Sequence, residues 1–243
     1  MNDAYEPCEA VWMRLPPAVD EDELAPLRAL LLDEEEQAAY NRYRLLRSCV
    51  EYLAGRLLVK NRLARLLGTT PGGIRLIKKA GGKPCTAAEP ESAKRLGLYF
   101  NLTHAEGVAA CAFGRVDALG IDVARCGTEH LALTDQLFLP DESVYIRKAR
   151  DERESADRFG MLWSRKEAAM KARGTGLALA PLDCPVPVGT GIAEDGHYRW
   201  HTEQVGDGHW LTVAVGRAED RDSIVRLSET TWAAEVRFLK SFE

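Results

Sequence analysis

Residues 163–177, WSRKEAAMKARGTGL, form the stretch of the sequence that most constrains the fold. Its Ala, Lys, Arg, Glu and Met residues favour a helix, and no Gly or Pro interrupts the stretch before Gly174. The Gly-Thr-Gly run that begins there is typical of a helix end. At 3.6 residues per turn, Trp163, Glu167 and Lys171 lie on one face, one turn apart. The pattern therefore places a carboxylate beside an ammonium group on a rigid element.

The spacing of Glu167 and Lys171 also has an ordinary explanation. A Glu followed four residues later by a Lys is a common stabilising pair on the solvent side of a helix, and the spacing alone favours that interpretation. Another face of the same helix carries Met161, Ala168 and Ala172. Because the two alanines are small, this face predicts the close approach of a neighbouring element.

The composition argues against several functional classes. A net charge of -5 over 243 residues argues against a nucleic-acid-binding protein, which usually carries a basic excess. The apolar runs are too short to span a bilayer, and the N-terminus lacks the order of a signal peptide. The six cysteines are scattered without a CxxC pair, which suits reduced thiols. We therefore expect a cytoplasmic protein with neither a nucleic-acid nor a membrane partner.

A long helix, or two in series, is predicted between Asp33 and Gly68. Asp33 is a typical N-cap residue, and apolar residues recur behind it at helical spacing. Arg47 lies on the polar side of this segment. Pairing with Glu51, one turn later, would make Arg47 an ordinary solvated residue.

Lys83 follows two glycines, Gly81 and Gly82, and lies close to two further lysines. Flexible glycines beside ammonium groups can form a cradle for a phosphate. Composition alone favours the simpler interpretation, a hairpin tip with solvated lysines.

Two segments have the alternation of half-buried strands. In residues 98–104 the alternation places Thr103 on the polar face, and His104 ends the segment. A histidine in such a position is usually a structural hydrogen bonder. In residues 119–124 the alternation places Asp122 and Ala124 on the face opposite the core. A carboxylate on a rigid strand suits a metal ligand, although Asp122 could instead cap the following turn.

Weaker patterns predict the remaining strands. Residues 107–114, GVAACAFG, form a short apolar run that predicts a buried strand. Residues 11–13 suggest the start of an edge strand. Residues 198–202, 210–215 and 224–227 have the composition of antiparallel strands.

Four of these blocks occur in a fixed order. They are Gly82-Lys83-Pro84, the FNLTH run at 100–104, Gly120-Ile121-Asp122, and the helix at 163–177. Together they resemble the larger, Sfp-type 4′-phosphopantetheinyl transferases, whose pattern has G-K-P, F-N-[IL]-S-H, G-[IV]-D-x-E and W-x-x-K-E-[SA]-x-x-K-x-x-G-x-G-[LF]. The resemblance covers most of the chain, and four ordered blocks are far more specific than any one of them.

The resemblance implies an α+β fold of two similar halves related by a pseudo-twofold axis, residues 1–118 and 119–243. The sequence itself shows no obvious repeat. The implied reaction is the Mg²⁺-dependent transfer of 4′-phosphopantetheine from coenzyme A to a serine of an apo acyl or peptidyl carrier protein. The second product would be adenosine 3′,5′-bisphosphate. We expect the protein to act as a monomer.

The resemblance also implies a role for each candidate residue. Asp122 and Glu167 would bind Mg²⁺, and either Glu167 or a metal-held water would take the serine proton. Lys171 would contact coenzyme A and add positive charge at the attacked phosphorus. The nucleotide end of coenzyme A would be held by Arg47, at the 3′-phosphate, and by Lys83, Thr103 and His104.

Two positions depart from the family pattern. Thr103 replaces a serine but keeps the hydroxyl. Ala124 replaces the second acid of G-[IV]-D-x-E, so a water would have to complete the coordination of the cation, which Mg²⁺ tolerates well. This departure leaves two other functions open. One is a carrier-binding module without catalysis, and the other is a coenzyme A diphosphate hydrolase that uses the same metal.

Overall fold

The structure is a computed structural model that describes residues 8–78, 84–86, 98–174, 179–217 and 225–242. The strands are β1 (Cys8–Arg14), β2 (Leu76–Lys78), β3 (Pro84–Thr86), β4 (Tyr99–Ala105), β5 (Val108–Gly114), β6 (Leu119–Ala124), β7 (Gly191–Glu194), β8 (Tyr198–Val205), β9 (His209–Gly216) and β10 (Val225–Glu229). The α-helices are α1 (Glu21–Leu31), α2 (Glu34–Tyr40), α3 (Leu46–Leu67), α4 (Thr134–Leu137), α5 (Pro140–Arg147), α6 (Glu152–Arg173) and α7 (Trp232–Lys240). The predicted α+β class is confirmed.

The strands form two four-stranded sheets, with the orders β10-β1-β5-β4 and β6-β9-β8-β7. β2 and β3 pair separately as a small ribbon. Each large sheet is accompanied by one helix of 22 residues, α3 for the first and α6 for the second. Both helices end at a glycine in the left-handed region, Gly68 with φ 64° and Gly174 with φ 71°. This shared plan agrees with two similar halves; a boundary at residue 118 stays a prediction.

The two sheets pack face to face, and the two long helices cover their outer faces. Between the sheets, alternate side chains of β1 and β5 contact those of β6 and β9 in one apolar cluster. The other face of the first sheet packs on α3, and that of the second sheet packs on α6. β5 and β6 are therefore buried on both faces, and the buried strand predicted at 107–114 is confirmed.

The long helices begin and end for local reasons. Asp151 caps α6 by accepting a hydrogen bond from the Glu154 N–H at 2.8 Å, and acidic residues fill the first turn, where the helix dipole favours them. Asp33 caps α2 as predicted, and Glu36 completes a capping box. A break separates α2 from α3, so the segment predicted as one helix or two is two.

The position of two strands differs from the sequence prediction. β1, expected as an edge strand, lies inside its sheet, because β10 runs along its outer side in parallel, with Cys8 opposite Val225. β10 was expected to be antiparallel, and it is parallel. α7, which follows it, packs on α3. The end of the chain thus returns to the first sheet, a long-range pairing that no local pattern encodes.

None of the described helices combines the length and the apolar character that spanning a bilayer requires.

Candidate active site

The candidate residues meet in a cavity of about 450 Å³ at the seam between the two sheets. Residues of β4, β6 and α6 line it. Six of its lining residues were singled out from the sequence: Thr103, His104, Asp122, Ala124, Glu167 and Lys171. Trp163 of the same helix face also lines the cavity. Lys83 lies outside the described residues, so its expected phosphate contact stays a prediction.

β6 approaches α6 closely because Gly120 has no side chain. A Cβ on Gly120 would lie 1.9 Å from the carbonyl oxygen of Ala168 and 2.6 Å from the backbone nitrogen of Ala172. The close approach predicted from the small face of the helix is therefore confirmed. Asp122 lies two residues further along β6, on the same side of the strand as Gly120. The strand thus carries the carboxylate to α6, where Lys171 meets it.

Side chains of β4 hold β6 in register across the seam. Asn101 Oδ1 accepts a hydrogen bond from the Ile121 N–H, and Thr103 Oγ1 accepts one from the Val123 N–H, each at 3.3 Å. The two backbone donors flank Asp122. The two strands belong to different sheets, so these side chains take the place of backbone carbonyls as the acceptors for β6. The Asn and the hydroxyl residue of the FNLTH block thus fix the position of Asp122.

The hydroxyl of Thr103 is fully used within the protein. It donates to Asp122 Oδ1 at 3.0 Å and accepts from Lys171 Nζ at 3.1 Å, besides the Val123 N–H. One donor and two acceptor positions are all that a hydroxyl offers. A direct phosphate contact by Thr103 would have to displace one of these partners, and that contact stays a prediction.

Asp122 is a buried carboxylate paired with Lys171. The Lys171 Nζ lies 2.6 Å from Asp122 Oδ1, a short, charge-assisted hydrogen bond. Burial raises the pKa of Asp122, although the Lys171 ammonium, the Thr103 hydroxyl and the Val123 N–H all favour the ionised form. Strand alternation predicts that Asp122 lies on the outward face of β6, opposite the core. It does so, and it is covered by α6 rather than exposed to solvent.

Glu167 faces the same cavity from α6 and is partly buried. Burial raises its pKa, and the negative charge of Asp122 raises it further, whereas Lys171 opposes the shift. A carboxylate whose pKa is raised toward neutral pH is better suited to accept a proton from the serine hydroxyl. Because the Lys171 ammonium is hydrogen-bonded to Asp122 and Thr103, Glu167 and Lys171 do not form the simple surface pair that their spacing alone favours.

The two remaining residues expected at the nucleotide end, Arg47 and His104, are brought together by Glu51. Arg47 Nε donates to Glu51 Oε1 at 3.2 Å, and His104 Nδ1 lies 3.6 Å from Glu51 Oε2. Desolvation lowers the pKa of His104; Glu51 raises it and Lys171 lowers it further. The Arg47–Glu51 pair considered from the sequence is thus present, with a third member that the sequence did not indicate.

The donor set at the seam suits a small, hard cation. Within the described ranges, no three His, Cys, Asp or Glu side chains come together as a metal site. Asp122 and Glu167 nevertheless line one cavity, and their mutual repulsion contributes to the raised pKa of Glu167. Ala124 lines the same cavity. Two carboxylates with open space beside them fit Mg²⁺, which binds through few protein oxygens and keeps several waters.

Lys166, within the same helix block, has a structural role that the sequence pattern did not predict. Its buried ammonium lies 2.8 Å from Glu142 and donates to the carbonyl oxygens of Pro181 and Cys184. It thereby fixes the backbone at Pro181 and Cys184 against α6. Adjacent helical residues lie about 100° apart, so Lys166 and Glu167 had to face different environments, and that signal was available from the sequence.

Two family models match consecutive parts of the chain. One, described as the 4′-phosphopantetheinyl transferase superfamily, matches residues 118–214. The other, described as 4′-phosphopantetheinyl transferase, N-terminal, matches residues 20–113. The two matches include every described candidate residue.

Individual relatives agree with the family models. The chain is 32% identical over 167 residues to the 4′-phosphopantetheinyl transferase HetI of Nostoc sp. (strain PCC 7120), and the matched region covers 68% of each protein. It is 32% identical over 131 residues to the 4′-phosphopantetheinyl transferase Sfp of Bacillus subtilis (strain 168), and the matched region covers 54% of each protein. It is 28% identical over 153 residues to the L-aminoadipate-semialdehyde dehydrogenase-phosphopantetheinyl transferase of Homo sapiens, which covers 60% of this chain and 49% of the relative.

Proposed function

Because this chain belongs to the 4′-phosphopantetheinyl transferase family and is of the Sfp type, we propose that it moves 4′-phosphopantetheine from coenzyme A to a carrier protein. The acceptor is a serine of an apo acyl or peptidyl carrier protein, and the second product is adenosine 3′,5′-bisphosphate. One observation carries the proposal: Asp122, Lys171 and Glu167 converge in a single cavity at the seam.

The reaction replaces a phosphoanhydride bond of coenzyme A with a phosphoester bond to the serine. The serine oxygen forms a bond to the phosphorus that carries pantetheine, and the bond from that phosphorus to the bridging oxygen of the diphosphate breaks. The electron pair of the broken bond leaves with adenosine 3′,5′-bisphosphate. The serine proton passes to Glu167, whose raised pKa suits that role. Lys171 places positive charge beside the phosphorus, where negative charge develops.

Mg²⁺ is the cation that we propose for this site, held by Asp122 and Glu167. When bound, it would neutralise the charge of the coenzyme A diphosphate. The nucleotide end would be held by Arg47, Lys83 and His104, with Thr103 orienting Asp122 and Lys171 next to the diphosphate.

The proposal also includes the boundary between the halves, the oligomeric state and the compartment. We place the halves at residues 1–118 and 119–243, and the two family matches, which adjoin between residues 113 and 118, support this boundary. A monomer in the cytoplasm, without nucleic-acid or membrane partners, is the state we propose. The five cysteines whose side chains are described are free thiols, as a reducing compartment would maintain them.

Intact-protein mass measurement tests the proposal. The protein is incubated with coenzyme A, Mg²⁺ and several apo carrier proteins, and each carrier is weighed. We expect a carrier that gains the mass of one phosphopantetheinyl group. Cleaved coenzyme A with unchanged carriers would indicate the hydrolase, and unchanged coenzyme A with a bound carrier would indicate the non-catalytic module that Ala124 leaves open.

A further inference from the structure

Glu51, in α3, joins two groups that come from different elements. One carboxylate oxygen accepts from Arg47 of the same helix at 3.2 Å, and the other lies 3.6 Å from the His104 ring on β4. Only 15% of the Glu51 side chain is exposed, against 63% for Arg47 and 43% for His104. The carboxylate is therefore covered, whereas the two groups that it holds remain open to a ligand.

The three side chains stand where two cavities adjoin. His104 lines the active-site cavity, and Arg47 lines a second cavity of about 850 Å³. Glu106, at the turn after β4, lines both. Glu51 lines neither of these two cavities, so it supports Arg47 and His104 without occupying the space of a ligand.

We propose that Glu51 is a positioning residue for coenzyme A, which holds the Arg47 guanidinium and the His104 imidazole together so that both contact phosphate groups of one molecule. This inference rests on the proposed function, which assigns Arg47 and His104 to the phosphates. It adds a residue that neither the family pattern nor the sequence spacing assigns to the site.

Electrostatics explains why a carboxylate is needed behind an anion site. Two cationic groups held close together repel each other, and a carboxylate between them offsets that repulsion before the ligand arrives. His104 is cationic only when protonated. The charged groups that face its ring are Glu51 from α3, Lys171 from α6 and Asp122 from β6. Desolvation and Lys171 disfavour the protonated ring, whereas Glu51 and Asp122 favour it, so Glu51 helps His104 to present a charge to a phosphate.

The test compares Glu51→Gln, which keeps the shape and removes the charge, with Glu51→Asp, which keeps the charge. Glu35→Gln is the matched control, since it removes the same charge from another Arg–Glu pair, whose carboxylate is 70% exposed and lines neither cavity. Two quantities are measured for each protein. One is the titration midpoint of His104 by NMR in the metal-free, ligand-free protein, with the signal assigned by His104→Gln. The other is the affinity for coenzyme A by calorimetry between pH 5.5 and 8.5.

We expect Glu51→Gln to lower the His104 midpoint by about half a pH unit or more. Its affinity for coenzyme A should fall about three- to tenfold at pH 7.5, and this loss should shrink as the pH is lowered and the ring becomes protonated in both proteins. Transfer at saturating coenzyme A should keep its parental rate while KM for coenzyme A rises. In Glu51→Asp the His104 midpoint should stay close to the parental value. Glu35→Gln should match the parent in both the midpoint and the affinity for coenzyme A.

An unchanged His104 midpoint and unchanged affinity in Glu51→Gln would overturn the inference and leave Arg47–Glu51 as an ordinary helix pair. Loss of affinity by the same factor at every pH would also overturn it, because that result indicates a general structural effect. Failure of the proposed function is a separate outcome. The parent would then not modify any carrier, whereas the ligand-free titration of His104 would still report whether Glu51 acts on the ring.

Discussion

The ammonium nitrogen of Lys171 lies 2.6 Å from a carboxylate oxygen of Asp122, although 49 positions separate the two residues in the chain. The contact crosses from α6 to β6, and it exists because Gly120 lets the strand lie directly against the helix backbone. Asn101 and Thr103 of β4 then hold the strand by accepting hydrogen bonds from its backbone. The reacting centre therefore depends on backbone packing as much as on its charged groups.

The first prediction concerns that packing. Gly120→Ala should destabilise the protein by about 3 kcal/mol, because the new methyl group would overlap the backbone of α6, which cannot rotate away as a side chain can. Gly160→Ala is the matched control. Its Cβ would meet nothing closer than 3.5 Å, and Ala is the better helix former by about 0.5–1 kcal/mol. Urea unfolding measures both, and equal stability of the two variants would contradict the close approach of β6 to α6.

The packing of β6 on α6 shows which contacts the sequence could and could not predict. Helical periodicity and the small residues Ala168 and Ala172 predicted a close neighbour for α6. The alternation of residues 119–124 predicted on which face Asp122 lies. Both signals are local. Only the structure identifies the neighbour as β6, since periodicity carries no information about which strand lies opposite which helix.

Long-range pairings were the part that sequence patterns missed. β10 lies beside β1 although more than two hundred residues separate them in the chain. Glu51 meets His104 across two elements whose own patterns are unrelated. The orientation of Lys166, by contrast, could be predicted from the sequence. If Glu167 faces the site, helical geometry requires its neighbour Lys166 to face another direction.

The second prediction concerns the 3′-phosphate of coenzyme A. A charge-assisted contact contributes about 1.5–3 kcal/mol, so Arg47→Ala should weaken binding of coenzyme A about tenfold or more. Binding of dephospho-coenzyme A, which lacks the 3′-phosphate, should hardly change. Calorimetry with both ligands measures the selectivity. If Arg47→Ala prefers coenzyme A as strongly as the parent does, Arg47 does not contact the 3′-phosphate.

The third prediction concerns Ala124, which lines the cavity beside Asp122 and Glu167. A third carboxylate there should strengthen cation binding, so Ala124→Glu should lower the Mg²⁺ concentration needed for half-maximal transfer. Ala124→Gln is the control for size without charge. Mg²⁺ titrations of transfer by the three proteins measure the effect. A midpoint that is the same for the Glu and Gln variants would show that position 124 does not face the cation.

The fourth prediction follows from the raised pKa of Glu167. Because its pKa is higher in the folded protein than in the unfolded chain, ionisation of Glu167 disfavours folding. Below the unfolded pKa the carboxyl is protonated in both states, and the parent and Glu167→Gln should be equally stable. As the pH rises through the folded pKa, the parent loses stability that the variant keeps.

Thermal unfolding of the metal-free proteins between pH 4 and pH 8 measures this difference. The Tm of Glu167→Gln should exceed that of the parent near neutral pH by about 2–4 °C for each kcal/mol of repulsion and desolvation removed. A variant that is less stable than the parent at neutral pH would mean that ionised Glu167 stabilises the fold, contrary to its position beside Asp122.

The transfer rate of Glu167→Gln shows whether Glu167 takes part in the reaction. With coenzyme A and Mg²⁺ saturating and a responsive apo carrier in excess, the rate of carrier modification is followed by intact mass. Glu152→Gln, an exposed substitution in the first turn of the same helix, is the control. We predict that Glu167→Gln remains folded, still binds coenzyme A and transfers about 10²–10⁴-fold more slowly than the parent, while the control transfers at the parental rate. A folded Glu167→Gln protein that modifies the carrier at the parental rate would contradict the account.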